Sequence, residues 1–303
     1  MNETPVQSAA TASQVSASIP ANPGFETTYE SRTERRYRTN SPETESLTAG
    51  SGVSLILPAY NEQARIGSTL DKYLPALEFC TRQFEIIVVV DGSDKTAEVA
   101  RHYRNQGVRV VQEDHKLGKG GAILNGFRQA QFDAVGYVDA DGSLMPSDLT
   151  CIVRSILDPG TDCVVASRWI PGSRWLHREP LTKMLAGRVF NLLVRSLLQV
   201  PVRDTQCGAK FYRRNVIDRL LSQVSVTNLT TDVGFLFHAH KNGARIYEVP
   251  VTWDDDPRSR FHLTTMIPIM FLTVIGIRLM NLPLGRYVPK SLVHKFQQFL
   301  GSI

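Results

Sequence analysis

The sequence of 303 residues lacks the marks of several common protein classes. Its four cysteines include no Cys-x-x-Cys pair, which argues against a zinc ribbon and against a redox dithiol. The amino terminus lacks a basic stretch followed by an apolar one, so we expect no secretion signal and reduced cysteines in a cytosolic protein. With 42% hydrophobic and 21% charged residues, the composition is otherwise that of a globular protein.

Long apolar runs are also scarce. The stretch from Met266 to Ile277 is strongly apolar, but it is shorter than the ~20 residues that a membrane-spanning helix needs. Arg260 and Arg278 bracket it, and further basic residues follow. This pattern is typical of a helix at a membrane surface or of a core helix. We therefore predict that residues 261–303 form an apolar helix and a basic tail, attached peripherally to the cytoplasmic face of a membrane.

The charge of the chain is modestly basic, with a formal net charge of +5. A basic excess suits an anionic partner, which could be a nucleic acid, an acidic lipid surface or a phosphorylated substrate. Residues 1–50 are rich in Ser, Thr, Ala, Glu and Pro and show no apolar period. Such a segment cannot bury enough surface to offset its ordering entropy, so we predict a disordered tail.

From residue 51 to residue 260, short apolar runs alternate with helical patterns. The run Phe84–Val90 is almost continuously β-branched, as in a strand buried on both faces of a parallel sheet. The alternation predicts an α/β domain with a mostly parallel, Rossmann-like central sheet and flanking helices. Ligands of such sheets bind beyond the carboxyl ends of the strands. Polar motifs follow Leu57, Val90 and Val138, each at a predicted strand end.

The motif Asp139-Ala140-Asp141 closes one of these buried strands. Two carboxylates with one residue between them can reach the same hard cation, which commonly also binds a substrate phosphate. Asp91, at another strand end, could contact a nucleotide base or ribose, or it could only form an Asx turn with Ser93 and Asp94.

A loop rich in glycine and lysine runs from His115 to Gly121, before a predicted helix. Glycines allow a phosphate to approach the backbone closely, and a helix amino terminus favours an anion. The loop lacks the spacing and the Ser/Thr of a Walker A motif. The pattern leaves two interpretations open: a phosphate site or only the start of a helix.

Together these motifs resemble family-2 glycosyltransferases over Val53 to Trp253. They occur in the order typical of that family: Pro58-Ala59-Tyr60-Asn61-Glu62, Val90-Asp91-Gly92-Ser93, Gly118-Lys119-Gly120-Gly121 and Asp139-Ala140-Asp141-Gly142. Val90 departs from the family, which often has aspartate there. The resemblance implies a GT-A fold that binds a nucleotide diphosphate sugar through a divalent metal, Mg²⁺ or Mn²⁺, and inverts the anomeric centre. It implies metal ligation by Asp139 and Asp141. It assigns nucleotide-sugar binding to Pro58, Ala59, Tyr60, Glu62, Asp91, Lys119, Asp139, Ala140 and Arg260.

The second half resembles the dolichyl-phosphate sugar synthases of that family. Arg168 follows a predicted strand and Arg188 lies in the next helix, and the resemblance implies that both hold the phosphate of a polyprenyl-phosphate acceptor. The run Asp204 to Gly208 and the stretch Val249 to Trp253, followed by Ser259-Arg260, are most similar to dolichyl-phosphate glucosyltransferases. We therefore expect UDP-glucose as donor, with GDP-mannose possible, and no nucleic-acid partner.

Two rival functions stay open. Asp232 lies where relatives with hydroxyl acceptors carry a catalytic base, so the chain could build a polysaccharide or glycolipid on a sugar hydroxyl. Asp232 could also be only the N-cap of the following helix. A catalytically silent nucleotide-sugar-binding protein is the third possibility, and the intact pair of Asp139 and Asp141 argues against it.

Overall fold

A computed structural model of the protein describes residues 52–177, 181–224, 230–254 and 263–281. The tail of residues 1–50, Arg260 and the basic residues after 281 lie outside the described residues. The predictions made for them stay predictions, as does the domain boundary at 260/261.

The centre of the described fold is a seven-stranded sheet in the order β3-β2-β1-β4-β7-β5-β8. β7 runs antiparallel to β4 and β5, and the other pairs are parallel. This confirms the prediction of an α/β fold with a mostly parallel sheet. The strands are β1 Val53–Ala59, β2 Phe84–Val90, β3 Val108–Gln112, β4 Ala134–Val138, β5 Cys163–Ser167, β7 Ala209–Arg213 and β8 Ile246–Pro250.

A second, two-stranded sheet pairs β6 (Arg174–His177) with β9 (Thr252–Asp254) in parallel. The sequence from Ile246 to Trp253 has the pattern of a single strand, whereas the structure divides it into β8 and β9. β8 ends at Pro250, and the chain then joins the smaller sheet: the Val251 N–H still donates to the Ser167 carbonyl at 3.2 Å, while the Val251 carbonyl accepts from the Arg174 N–H at 3.1 Å. β6 was not predicted.

Helices cover both faces of the large sheet. Alternate residues of β2 point to opposite faces: Ile86 and Val88 belong to one core, Ile87 and Val89 to the other. The first core packs against α1, α2 and α4, and the second against α3 and α5–α8. This two-sided burial explains why β2 is apolar along its length. The helices are α1 Ile66–Cys80, α2 Thr96–Arg101, α3 Gly118–Gln129, α4 Pro146–Leu157, α5 Leu181–Leu198, α6 Arg214–Leu220, α7 Thr231–Lys241 and α8 Leu263–Met280.

The last described helix, α8, contains the apolar stretch that the sequence suggested would lie at a membrane or in the core. Val274 and Ile277 are buried in the second core, while Phe271, Leu272 and Leu279 are exposed. No helix within the described ranges is both long enough and apolar enough to cross a membrane.

Candidate active site

A cleft lies at the carboxyl ends of β1, β2 and β4, where the strand-end motifs meet. Eight of the nine predicted nucleotide-sugar-binding residues line it, together with Asp141; the ninth, Arg260, lies outside the described residues. Ala122, in the first turns of α3, also lines the cleft and was not predicted, because an alanine carries no chemical signal. The lining residues are Pro58, Ala59, Tyr60, Glu62, Asp91, Lys119, Ala122, Asp139, Ala140 and Asp141.

The two aspartates after β4 have different partners. Asp139 Oδ1 lies 2.6 Å from Lys119 Nζ. Asp141 Oδ1 accepts a hydrogen bond from the Ser143 N–H, at 3.0 Å. Burial and the charge of Asp139 raise the pKa of Asp141, although Ser143 and Lys119 oppose the rise. Asp141 therefore lies where a positive charge is favoured, and a divalent cation would supply one.

Among the described residues that line the cleft, Lys119 carries the positive charge. Burial alone would lower its pKa, but the charges of Asp139 and Asp232 outweigh burial and raise it. The ammonium group therefore stays protonated near neutral pH beside Asp139.

Gly208, just before β7, fixes the place of the Asp139 carboxylate. The Asp139 N–H donates to the Gly208 carbonyl oxygen at 2.9 Å. A Cβ atom on Gly208 would lie only 2.1 Å from Asp139 Oδ2 and 2.6 Å from its Cγ. Only glycine leaves room for the carboxylate in this position.

Asp91 ties the end of β2 to the glycine-and-lysine loop. Its Oδ2 accepts hydrogen bonds from the N–H groups of Leu117 and Gly118, at 2.9 and 2.8 Å. The anion at the start of α3 is therefore the Asp91 carboxylate itself. The loop does start a helix, and Lys119 in its first turn reaches the cleft. The Asx turn that was considered for Asp91 is formed instead by Asp94, which accepts the Thr96 N–H.

Tyr60 and Glu62 form another wall of the cleft. The ring of Tyr60 is half exposed, and Lys116 Nζ lies 4.7 Å from its centroid. Glu62 pairs with Arg65 at 2.7 Å. Burial raises the pKa of Glu62 even though Arg65 lowers it.

The two predicted acceptor arginines lie outside this set of lining residues. Arg168, directly after β5, bonds to Asp204 through Nε at 2.8 Å and Nη2 at 3.0 Å. Arg188, on α5, is exposed, and its guanidinium carbon lies 4.8 Å from the ring centroid of Trp169. Both arginines contact tryptophans, a feature that sequence reasoning missed.

Asp232, the predicted base of the rival function, is held in a buried ion pair. Its Oδ2 lies 3.2 Å from Nζ of Lys210, whose side chain is completely buried. The same ammonium donates to the Cys207 carbonyl at 2.7 Å and to the Tyr137 hydroxyl at 3.1 Å. Asp232 also accepts a hydrogen bond from the Gln206 amide at 3.3 Å. Sequence reasoning missed Lys210, although it is the one charged residue among buried neighbours in β7.

A metal bound in the cleft would need further ligands besides Asp139 and Asp141. The described part of the chain contains no group of three or more His, Cys, Asp or Glu side chains placed to hold a metal. Asp139 and Asp141 supply hard oxygen donors, which suit Mg²⁺ or Mn²⁺. Phosphate oxygens of a bound nucleotide would complete such a shell.

Comparison with known families agrees with the strand-end motifs. A family model described as "Glycosyl transferase family 2" matches residues 54–221. The chain belongs to glycosyl transferase family 2. The matched range contains the cleft, Arg168, Arg188 and Lys210, whereas Asp232 follows it.

Several curated proteins are similar to this family-2 transferase. Dolichyl-phosphate beta-glucosyltransferase of Mus musculus is 31% identical over 221 residues, which are 67% of each chain. Polyprenol monophosphomannose synthase of Mycolicibacterium smegmatis is 29% identical over 66% of this chain and 77% of its own. Glycosyltransferase AglD of Haloferax volcanii is 32% identical over 69% of this chain, but the transferase spans only 34% of that protein.

Solved structures share the fold of the transferase. Glucosyl-3-phosphoglycerate synthase from Mycobacterium tuberculosis, in complex with Mn²⁺ and UDP, superposes with a TM-score of 0.55 at 22% identity, over 76% of this chain and 80% of its own. Mannosyl-3-phosphoglycerate synthase from Rubrobacter xylanophilus gives 0.57 at 23% identity, over 76% and 74%. The predicted GT-A fold is thereby confirmed.

Proposed function

We propose that this family-2 transferase moves a hexose, with inversion, from a nucleotide sugar to a polyprenyl or dolichyl phosphate. The observation that carries the proposal is the gathering of all the strand-end motifs in one cleft. Support comes from relatives named as a dolichyl-phosphate beta-glucosyltransferase and a polyprenol monophosphomannose synthase.

The charges of the cleft support a need for Mg²⁺ or Mn²⁺. Four carboxylates line it; Glu62 is paired with Arg65 and Asp139 with Lys119, so Asp91 and Asp141 have no ion-pair partner among the described residues. A nucleotide diphosphate would add further negative charge to this acidic surface. Asp139 and Asp141 would hold a divalent cation, which would offset that repulsion and supply Lewis-acid stabilisation to a leaving diphosphate. The carboxylates are Glu62, Asp91, Asp139 and Asp141.

The reaction needs no strong base on the acceptor. An ionised phosphate oxygen of the lipid attacks the anomeric carbon from the side opposite the leaving group. A bond from that oxygen to carbon forms as the bond from the carbon to the nucleotide diphosphate breaks. The electron pair leaves with the diphosphate, and no proton has to be removed from the acceptor, since its phosphate is already ionised near neutral pH.

The rival function, transfer to a sugar hydroxyl, requires a base to remove the hydroxyl proton. Asp232 was the candidate, but its carboxylate is bonded to Lys210 and Gln206. The Asp232 side chain is only 8% exposed, and its two oxygens already accept hydrogen bonds from Lys210, Gln206 and the Val233 N–H, so little of the carboxylate is left to meet an acceptor hydroxyl. The contacts of Asp232 therefore favour a phosphate acceptor.

We propose UDP-glucose as the preferred donor, with GDP-mannose as the alternative. The support is the similarity to proteins named as glucosyltransferases in Mus musculus and Dictyostelium discoideum, beside one named as a mannose synthase.

We also propose peripheral attachment at the cytoplasmic face of a membrane. On α5, four aliphatic residues spaced three or four apart are each more than half exposed, which places them on one helix face. Exposed residues of α8 add to the apolar surface. Replacing Leu185 and Leu192 together by glutamate should reduce sedimentation with anionic vesicles, and unchanged sedimentation would contradict this attachment. The four residues are Leu181, Leu185, Val189 and Leu192.

Two matched acceptors test the function. Purified protein is incubated with UDP-glucose or GDP-mannose, with Mn²⁺, and with either polyprenyl phosphate or polyprenol of the same chain length. We expect a hexosyl-phosphate lipid by mass spectrometry, formed from the phosphate acceptor only and most rapidly from UDP-glucose. Glycosylated polyprenol without product from the phosphate would instead support the hydroxyl acceptor. The absence of any sugar transfer would support a silent binding protein.

A further inference from the structure

Lys210 and Asp232 form a buried ion pair that the proposed reaction does not use. Lys210 lies in β7, between β4 and β5 in the large sheet, and its side chain is completely buried. Asp232, in the first turn of α7, places Oδ2 3.2 Å from the Lys210 ammonium group. Replacing such a pair by apolar residues is commonly neutral or stabilising, because both charges lose their hydration on burial. A contribution to stability is therefore a poor reason for this pair to be present.

The other bonds of the Lys210 ammonium group indicate what the pair does. Besides Asp232, the ammonium group donates to the Cys207 carbonyl oxygen at 2.7 Å and to the Tyr137 hydroxyl at 3.1 Å. An ammonium group has three donors, so these three acceptors satisfy all of them. Its position is therefore fixed in three directions.

The Cys207 carbonyl connects Lys210 to the donor cleft. Its oxygen belongs to the planar peptide group that leads into Gly208. The Gly208 carbonyl accepts the Asp139 N–H at 2.9 Å, and a Cβ atom on Gly208 would overlap the Asp139 carboxylate. Tyr137, two residues before Asp139 in the chain, lies directly opposite Lys210 in the register of β4 and β7. Lys210 thus contacts, from the buried side, both chain segments that set the position of Asp139.

Tyr137 also lies between Lys210 and the lysine of the cleft. The centroid of its ring is 5.6 Å from Lys210 Nζ and 5.9 Å from Lys119 Nζ. Burial alone would lower the pKa of Lys119, but the charges of Asp139 and then of Asp232 raise it. Lysines and aspartates therefore alternate from the buried pair to Asp139, in the order Lys210, Asp232, Lys119, Asp139.

We propose that Lys210 is a positioning residue of the donor site, whose ammonium group fixes the peptide before Gly208 and thereby the Asp139 carboxylate. Asp232 is the counter-ion of this lysine and not a catalytic base. The assignment rests on the proposed function, since it takes Asp139 to hold a metal beside a nucleotide diphosphate. Residues that orient a metal ligand commonly change metal affinity or activity by about tenfold to a hundredfold when they are replaced.

Two variants that both carry asparagine at residue 232 isolate the role of Lys210. In Asp232→Asn, the lysine can still donate to the Cys207 carbonyl and the Tyr137 hydroxyl, whether it is charged or neutral. Lys210→Met with Asp232→Asn removes both bonds and leaves neither charge of the pair. In calorimetric titrations with Mn²⁺, Asp232→Asn should bind UDP within about threefold of the wild type, and the double variant roughly tenfold to a hundredfold more weakly. In excess chelator all three proteins should bind UDP within about threefold of one another, because Asp139 then holds no metal.

Two further variants separate a loss of positioning from a loss of stability. Ile156→Ala opens a cavity in the first core, in the last turn of α4 and about 15 Å along that helix from Pro146. It should lower the melting temperature and leave the affinity for UDP with Mn²⁺ unchanged. Lys210→Met with Asp232→Leu fills the place of the pair with apolar atoms, which preserves folding. It should bind UDP with Mn²⁺ as weakly as the first double variant does.

Amide hydrogen exchange supplies a readout that needs neither metal nor nucleotide. The Asp139 N–H is protected by its bond to the Gly208 carbonyl, so its exchange rate reports how firmly Gly208 is held. The rate is measured by NMR relative to that of the Val88 N–H in β2, which corrects for changes in overall stability. This ratio should rise at least about tenfold in both double variants, and it should stay at the wild-type value in Asp232→Asn and Ile156→Ala.

Three results would overturn the positioning role of Lys210. They are wild-type affinity for UDP with Mn²⁺ in the double variants, an unchanged exchange ratio at Asp139 in the same variants, or an equal loss of affinity in Asp232→Asn and its double variant. If the wild type binds UDP no more tightly with Mn²⁺ than with chelator, the proposed metal at Asp139 fails instead. The role of Lys210 then stands or falls on the exchange at Asp139 in the unliganded variants.

Discussion

The donor cleft of this transferase differs from its acceptor side in how the charged side chains are neutralised. The acceptor side is the region that contains Arg168, Arg188 and Asp232. At the ends of β1, β2 and β4, four carboxylates face one lining cation, Lys119. On the acceptor side, Arg168 is paired with Asp204, and Lys210 with Asp232. Arg65 and Lys119 neutralise Glu62 and Asp139, so within the described residues the uncompensated negative charge of the donor cleft is that of Asp91 and Asp141. Arg168 and Lys210 on the acceptor side are both compensated within the protein. We infer that the donor cleft is completed by a bound cation, and that the acceptor side is a preformed scaffold.

The largest effect should come from removing Lys210, the partner of Asp232 in a buried ion pair on the acceptor side. Lys210→Met removes the ammonium that lies at ion-pair distance from the buried Asp232 carboxylate, which should lower the free energy of unfolding by about 3–5 kcal/mol. Urea denaturation of the purified protein measures it. The double variant Lys210→Met with Asp232→Asn should recover most of the loss, because the buried charge is gone. A single variant as stable as the wild type would show that the pair is not a structural unit.

On the donor side, the matching change is Asp141→Asn. It removes one of the two proposed metal ligands while keeping the shape of the side chain, and it should lower kcat by roughly two to three decades, equivalent to about 3–4 kcal/mol. Initial rates at saturating Mn²⁺ measure the loss. The control is Asp218→Asn, which breaks only the exposed pair with Arg214 and should leave kcat unchanged. Near-wild-type turnover of Asp141→Asn, or full activity in excess chelator, would remove the metal from the mechanism.

The two sides also differ in how far sequence predicts them. On the donor side, most site residues lie at the carboxyl end of an apolar strand or directly after it, and Lys119 lies in the first turn of α3. Parallel strands bring their carboxyl ends to one edge of the sheet, so the local sequence pattern was enough to predict this site. On the acceptor side, Asp204 lies 36 residues from Arg168, and Asp232 lies 22 residues from Lys210. No periodic pattern in the sequence links partners so far apart. No local sequence feature indicates that β7 runs antiparallel between β4 and β5. The resemblance to a family supplied Arg168 and Arg188, but not their partners.

A smaller change sharpens the role of geometry in the donor cleft. Gly208→Ala places a Cβ atom against the Asp139 carboxylate, 2.1 Å from Oδ2 before any adjustment. Forcing such an overlap apart costs about 1–3 kcal/mol, so metal-dependent UDP binding should weaken by about one to two decades. Gly187→Ala on α5 is the matched control, because a Cβ atom there meets nothing within 4 Å. Equal UDP affinity in both variants would show that the place of Asp139 is unimportant.

The smallest expected effect concerns stability without metal. Because the pKa of Asp141 is raised in the folded protein, its ionised form opposes folding, and the wild type gains stability as pH falls through that pKa. Above that pH, Asp141→Asn should melt slightly higher than metal-free wild type, on the order of 1–2 °C. Below it the difference should vanish, because wild-type Asp141 is then neutral. Adding Mn²⁺ should raise the melting temperature of the wild type only. A variant that melts lower than metal-free wild type near neutral pH would contradict the assigned charge imbalance.

Calorimetric titration of UDP into the wild-type protein, with Mn²⁺ and again with excess chelator, tests the central contrast most directly. If the donor cleft keeps an uncompensated negative charge, UDP should bind at least about tenfold more tightly with Mn²⁺, a difference of about 1.4 kcal/mol or more. Equal affinity with and without the metal would show that Lys119 alone offsets the charge of the nucleotide, and the distinction between the two sides of the site would be wrong.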